Sequence, residues 1–126
     1  MNVASINVKK IDLKFYGIKK ANCTVVVGLD GEEMSTKTLP GLDPEFEENF
    51  FFKVSDPATQ KLWAKVIMDG QQIGDKQTYP LNKLVKNKDT FKGVIVPGGK
   101  ADMLVKAIDF GEEQEAETDD SFADFL

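Results

Sequence analysis

The sequence predicts an all-β fold of sandwich or barrel type. Three observations predict it. Turn-forming residues punctuate the chain at short intervals, at Leu29-Asp30-Gly31, Leu39-Pro40-Gly41 with Asp43-Pro44 behind it, Asp56-Pro57, Asp69-Gly70 and Pro97-Gly98-Gly99. The runs between these marks have strand length, and the cleanest of them alternates. There Cys23, Val25, Val27 and Leu29 fall on one face, and Thr24, Val26 and Gly28 on the other. Finally, the runs are numerous enough to fill two sheets.

In chain order, Ala4–Lys10 is the first strand candidate and Asn22–Leu29 the second, closed by Asp30-Gly31. Glu33–Thr38 lies between that turn and Pro40. Phe50, Phe52 and Val54 alternate with Phe51 and Lys53 in the next run. Thr59–Met68 carries both periods: Leu62, Trp63, Val66 and Ile67 recur at helical spacing, while Leu62, Ala64, Val66 and Met68 alternate. It is read as a strand, because one helix amid so many β runs would interrupt the sheet. Gln71–Tyr79 follows the Asp69-Gly70 turn, Leu81–Val85 reads as one helical turn in a connection, and Thr90–Val96 and Ala101–Phe110 flank Pro97-Gly98-Gly99.

With 126 residues the chain is sized for one domain and a short tail. Its 21 acidic residues outnumber 16 lysines, but unevenly. Residues 1–110 hold all 16 lysines against 14 acids, a body of +2; residues 111–126 hold 7 acids and no lysine, a tail of −7, and the two sum to the formal −5. The acidic stretch from Gly111 has no large apolar side chain before Phe122 and is expected to be disordered. There is no Arg and no His, which removes a histidine base, a histidine metal ligand and bidentate clamps on phosphate or guanine. A +2 body is too weakly basic for a general nucleic-acid binder. Cys23 cannot form an intramolecular disulfide, and neither a spanning apolar run nor a secretory leader is seen, so a soluble cytoplasmic protein is expected. Catalysis has little to build on. Cys23 lacks a base to lower its pKa, Gly98-Gly99-Lys100 precedes no helix, and no carboxylate pair is placed for acid–base work, so neither enzyme nor cofactor is expected.

The stretch Ser35-Thr36-Lys37-Thr38-Leu39-Pro40-Gly41-Leu42-Asp43-Pro44-Glu45-Phe46-Glu47-Glu48-Asn49-Phe50-Phe51-Phe52-Lys53-Val54 resembles the C2 domain family, first recognised as a conserved region of protein kinase C. That family places a Thr-Lys-Thr strand end, a Leu-Asn-Pro corner, a bulky aromatic, Asn-Glu and an alternating Phe strand here. Ala21–Val27 stands where the family has Ser-Asp-Pro-Tyr-Val, and Ile73-Gly74 with Tyr79-Pro80-Leu81 resembles its Ile-Gly strand. The resemblance covers about residues 3–110. It implies an eight-stranded antiparallel β-sandwich, in the circularly permuted type II topology because another strand is supplied at 101–110.

Many family members bind calcium at one end of the sandwich through loop aspartates. The resemblance puts Asn22 where the first-loop aspartate belongs and leaves Asp69 as the third loop's only carboxylate. These residual positions are too few for a cation that wants six to eight oxygens, so no metal is expected. The first apical loop, Lys14, Phe15, Tyr16, Ile18, Lys19 and Lys20, has the composition of a weak membrane-touching tip: aromatic rings for the head-group level and lysines for an anionic leaflet. The alternative is that Phe15 and Ile18 fold back on the sandwich. The family's lysine-rich patch, on strands corresponding to 22–29 and 33–38, retains only Lys37 beside Glu32 and Glu33. Lys83, Lys86, Lys88 and Lys92 form a second basic cluster that is either a solvated connection or a counterpart for the tail. In the tail, Phe122, Asp124, Phe125 and Leu126 look like motifs that vesicle-coat adaptors take from disordered segments; docking on the chain's own sandwich is the competing reading. The expected function is a calcium-independent peripheral adaptor between an anionic membrane and a protein partner. A scaffold without lipid affinity and a weak calcium-dependent binder are the alternatives.

Overall fold

The computed structural model describes residues 2–13 and 21–111. The first apical loop, Lys14–Lys20, and residues 112–126 lie outside the described residues, together with the expectations placed on them. The strands are β1 (Val3–Asp12), β2 (Asn22–Leu29), β3 (Glu32–Ser35), β4 (Leu39–Pro40), β5 (Glu45–Lys53), β6 (Lys61–Met68), β7 (Gln71–Pro80), β8 (Asp89–Val96) and β9 (Gly99–Ile108), with one 3₁₀ turn at Leu81–Lys83. They form two antiparallel sheets, ordered β5-β1-β9-β8 and β3-β2-β6-β7, with β4 also paired to β2. Because β3 and β4 follow one another along β2, they are one interrupted strand. The sandwich is therefore eight-stranded.

The interruption corrects the expected strand Glu33–Thr38, which stops at Ser35. Thr36 is buried, its N–H donates to the Val25 carbonyl at 2.9 Å, and its Oγ1 accepts from the Val25 N–H at 3.0 Å. A hydroxyl thus occupies the place of the next ladder carbonyl, which is how Thr competes with regular pairing. The ambiguous run resolves as β6. Leu62, Ala64, Val66 and Met68 are all buried, so the period of two governs, and the helical echo came from Trp63 and Ile67 on the other face.

β1 and β9 lie side by side in the middle of one sheet, paired from Val3↔Ile108 to Asp12↔Lys100 with one register shift between Val8 and Lys10. β1 thus lies between the last strand and β5, the Phe strand that follows the Leu-Asp-Pro corner, which is the permuted order that the resemblance implied. Gly99 sits where this seam ends, and a Cβ there would lie 1.8 Å from the Asp12 carbonyl oxygen. Only glycine allows so close a backbone approach.

The core is filled from both sheets by alternating residues, among them Ile6, Val8, Val25, Val27, Phe52, Leu62, Val66 and Met103. Phe46 is buried under the Leu42-Asp43-Pro44 corner, which Ile11 N–H to Pro44 O at 3.0 Å and Leu13 N–H to Leu42 O at 2.9 Å fasten to the end of β1. At the edge between the sheets, the Tyr79 hydroxyl donates to the Gly93 carbonyl at 3.0 Å. Burial pushes its pKa up to about 12. The phenol therefore stays a donor throughout the physiological range and holds β7 to β8.

Candidate anion-binding surface and apical end

The period of two that buries Leu62 and Ala64 sends Lys61, Trp63 and Lys65 to the outer face of the second sheet. Trp63 is nevertheless only 8% exposed. It lies over Gly28, where a Cβ would come within 2.2 Å of the indole, and its Nε1–H donates to the Asp30 carbonyl at 2.9 Å. The missing side chain at residue 28 is what lets the ring lie down. Over the ring stand two ammonium groups, Lys65 Nζ 5.5 Å and Lys76 Nζ 4.9 Å from the centroid. Each such contact is worth about 0.5–1 kcal/mol at an exposed site.

Neither lysine has a carboxylate partner among the described residues. Two like charges drawn to one ring repel each other, and an anion between them would remove the repulsion. The stretches that carry the family's lysine-rich patch, residues 22–29 and 33–38, retain only Lys37, and the other lysines of this sheet stand on β6 and β7. The available signal was the complementary half of the β6 alternation, Lys61-Trp63-Lys65, which is overlooked when only the inward half is read.

At the apical end Asp69 and Gly70 both have positive φ, 51° and 83°, as a two-residue type I′ hairpin between β6 and β7 demands. Asp69 Oδ1 accepts from the Asn22 N–H at 2.9 Å, and the Asp69 N–H donates to the Asn22 carbonyl at 2.9 Å. The two residual calcium-loop positions thus come together as a reciprocal backbone clasp that already occupies a carboxylate oxygen. Residues 14–20 contain no Asp or Glu. Among the described residues no three His, Cys, Asp or Glu side chains gather closely enough to hold a metal ion. Among the described residues the apical donor set falls short of the six to eight oxygens of a calcium centre. Beside the clasp, Cys23 is fully buried, and burial, then the Asp69 charge, pushes its thiol pKa up.

The second basic cluster is divided. Lys83 ends the 3₁₀ turn and Lys86 and Lys88 lie in the connection to β8. Lys92 instead shares the inward alternation of Val94 and Val96, with its Nζ 5.7 Å from the Tyr79 ring centroid. Elsewhere Glu48, one of the paired acids of the corner, accepts from the Lys37 N–H at 2.9 Å, a local backbone cap.

No family model matches the sequence, and no curated protein does. Solved structures do match. The first of the C2 domains of plant extended synaptotagmin 1, its domain A, superposes with a TM-score of 0.72 at 21% identity, over 87% of this chain and 96% of that one. The chain has the C2-domain fold. A fragment of extended synaptotagmin 2 spanning its SMP domain and its A and B domains of the C2 type matches with a TM-score of 0.72 at 16% identity, over 84% of this chain and 25% of that one. The S. officinalis protein PLC21 matches at 0.70 and 20%, over 92% of this chain and 17% of that one. The chain thus spans nearly all of an isolated C2 domain but a quarter or less of the longer proteins. Among the described residues no helix is long and apolar enough to cross a membrane.

Proposed function

We propose that this C2 domain, residues 1–110, is a non-catalytic module that docks on anionic phospholipid without calcium, at the cytoplasmic surface of a membrane. The observation that carries the reading is the Trp63–Lys65–Lys76 cluster, two ammonium groups without carboxylate partners among the described residues over one indole. Phosphate is the chemistry such a pair takes, and a bilayer presents it at high density. The paucity of carboxylates at the apical end supports calcium independence, since Asp69 is the hairpin's one acid and one of its oxygens is engaged by the Asn22 N–H. Lys14, Phe15, Tyr16, Ile18, Lys19 and Lys20 supply an apical contact, and Lys83, Lys86 and Lys88 a weaker one. Phe122, Asp124, Phe125 and Leu126 are the segment that takes a protein partner, making the chain an adaptor.

Each lysine near an anionic leaflet contributes about 1 kcal/mol, so reversal of the three apical lysines removes about 3 kcal/mol, roughly a hundredfold in partition. Flotation of the full-length Lys14→Glu/Lys19→Glu/Lys20→Glu variant with phosphatidylserine vesicles is expected to show that loss. Undiminished flotation would remove the apical segment from the contact.

A further inference from the structure

The outer face of the four-stranded sheet, on the opposite side of the sandwich from Trp63, carries an unused depression with a mixed polar and apolar lining. Cross-strand register sets Phe51, Ser5, Lys106 and Asp89 in one row and Asn49, Asn7, Leu104 and Phe91 in the next. A shallow hollow of about 360 Å³ opens there, with Phe51, Leu104 and Ile108 supplying its apolar wall. Phe51 is 57% exposed, uncommon for so large an apolar side chain in the middle of a strand. The Asn7 Nδ2 donates to Asn49 Oδ1 at 2.8 Å, which leaves Asn7 Oδ1 buried in the floor with no partner among the described residues. Lys106 and Lys53, at the hollow and beside it, have no carboxylate partner among the described residues, whereas Lys9 is held by Glu47 at 3.3 Å. Asp89 is the acid in the lining.

We infer that this hollow is the docking site of the chain's own residues 112–126, with Phe122 or Phe125 against Phe51 and Leu104. Three facts select this occupant. The segment holds seven acids, no lysine and three large apolar side chains, which match the apolar wall of Phe51, Leu104 and Ile108 and the lysines Lys106 and Lys53 beside it. It continues from Gly111, three residues beyond Ile108, which itself lines the hollow. The eleven residues from Gly111 to Phe122 reach up to about 35 Å, while Ile108 to Leu104 along β9 is about 14 Å, so the chain need not be taut. A tether this short gives an effective concentration in the millimolar range, so a weak contact is populated. The Trp63 surface is a poorer host: its ring is almost covered and offers no open apolar wall. A protein partner for Phe122 and Phe125 must then displace an internal contact. Lys65 and Lys76 take no part, so the docking and the membrane reading stand or fall separately.

The test is amide NMR on the full Ser121→Cys chain carrying a nitroxide; Cys23, fully buried with a raised thiol pKa, stays unlabelled. Amides of Ser5, Asn7, Phe51, Leu104 and Lys106 are expected to lose most of their intensity while those of Val26, Lys65 and Lys76 keep theirs. Dilution should leave the pattern intact, and Phe51→Ser, an exposed change, should abolish it. Equal broadening of both sheets, broadening at Trp63, none on the sandwich, or broadening transferred to an unlabelled-cysteine chain in a mixed sample would each overturn the inference.

Discussion

Replacing Gly99 with valine is expected to cost more than about 4 kcal/mol, the range reserved for substitutions that defeat packing outright. The new Cβ would lie 1.8 Å from the Asp12 carbonyl oxygen and 2.8 Å from Asp12 C and Leu13 Cα, all backbone atoms that no rotamer change can move. Asp12↔Lys100 is the last pair of the β1–β9 seam, and Leu13 beside it is fully buried, so relief requires parting the end of the seam between the two central strands. Urea unfolding followed by circular dichroism should show the cooperative transition lost or moved far down. Gly31→Ala, where a Cβ meets nothing within 4 Å, is the control and should stay within about 0.5 kcal/mol of the parent. A Gly99→Val protein with an unchanged midpoint would mean that the seam is not built as described.

The Lys65→Glu/Lys76→Glu variant is expected to bind phosphatidylserine vesicles at least about thirtyfold more weakly, since two attractions of about 1 kcal/mol each are removed before any repulsion is counted. Both side chains reach solvent, so folding should survive the change. Trp63 is the only tryptophan, and its emission reports directly on the surface under test. Titration of the parent with vesicles should shift that emission and titration of the variant should not. Equal affinity of the two proteins would exclude the indole face from the contact.

What the sequence made legible follows from which interactions are local. β2 and β6 alternate over whole strands, and the inward halves of those alternations are all buried in the sandwich. The corner at Leu42-Asp43-Pro44 and the Asp69-Gly70 hairpin rest on adjacent residues whose turn chemistry stands in the text. The end of β3 was missed because the Thr36 hydroxyl bonds to Val25, eleven positions back, and only the fold brings them together. The basic surface was missed for a similar reason. It needs Gly28 on β2, Trp63 and Lys65 on β6 and Lys76 on β7, and the β6–β7 register shifts between Ala64 and Val66, so counting along the strands does not place Lys76 over the ring. The hollow at Phe51 depends on register across four strands, of which the alternation of β5 revealed one.

Co-sedimentation of the full chain with phosphatidylserine and with phosphatidylcholine vesicles, each in calcium and in chelator at physiological salt, tests the central claim most directly. Equal retention on the anionic vesicles with and without calcium, and none on the neutral ones, is the result predicted by the Lys65–Lys76 pair and the Asn22–Asp69 clasp. Retention that appears only with calcium would contradict it and make the apical end a cation site; no retention on any vesicle would contradict it too, and leave a protein-binding scaffold.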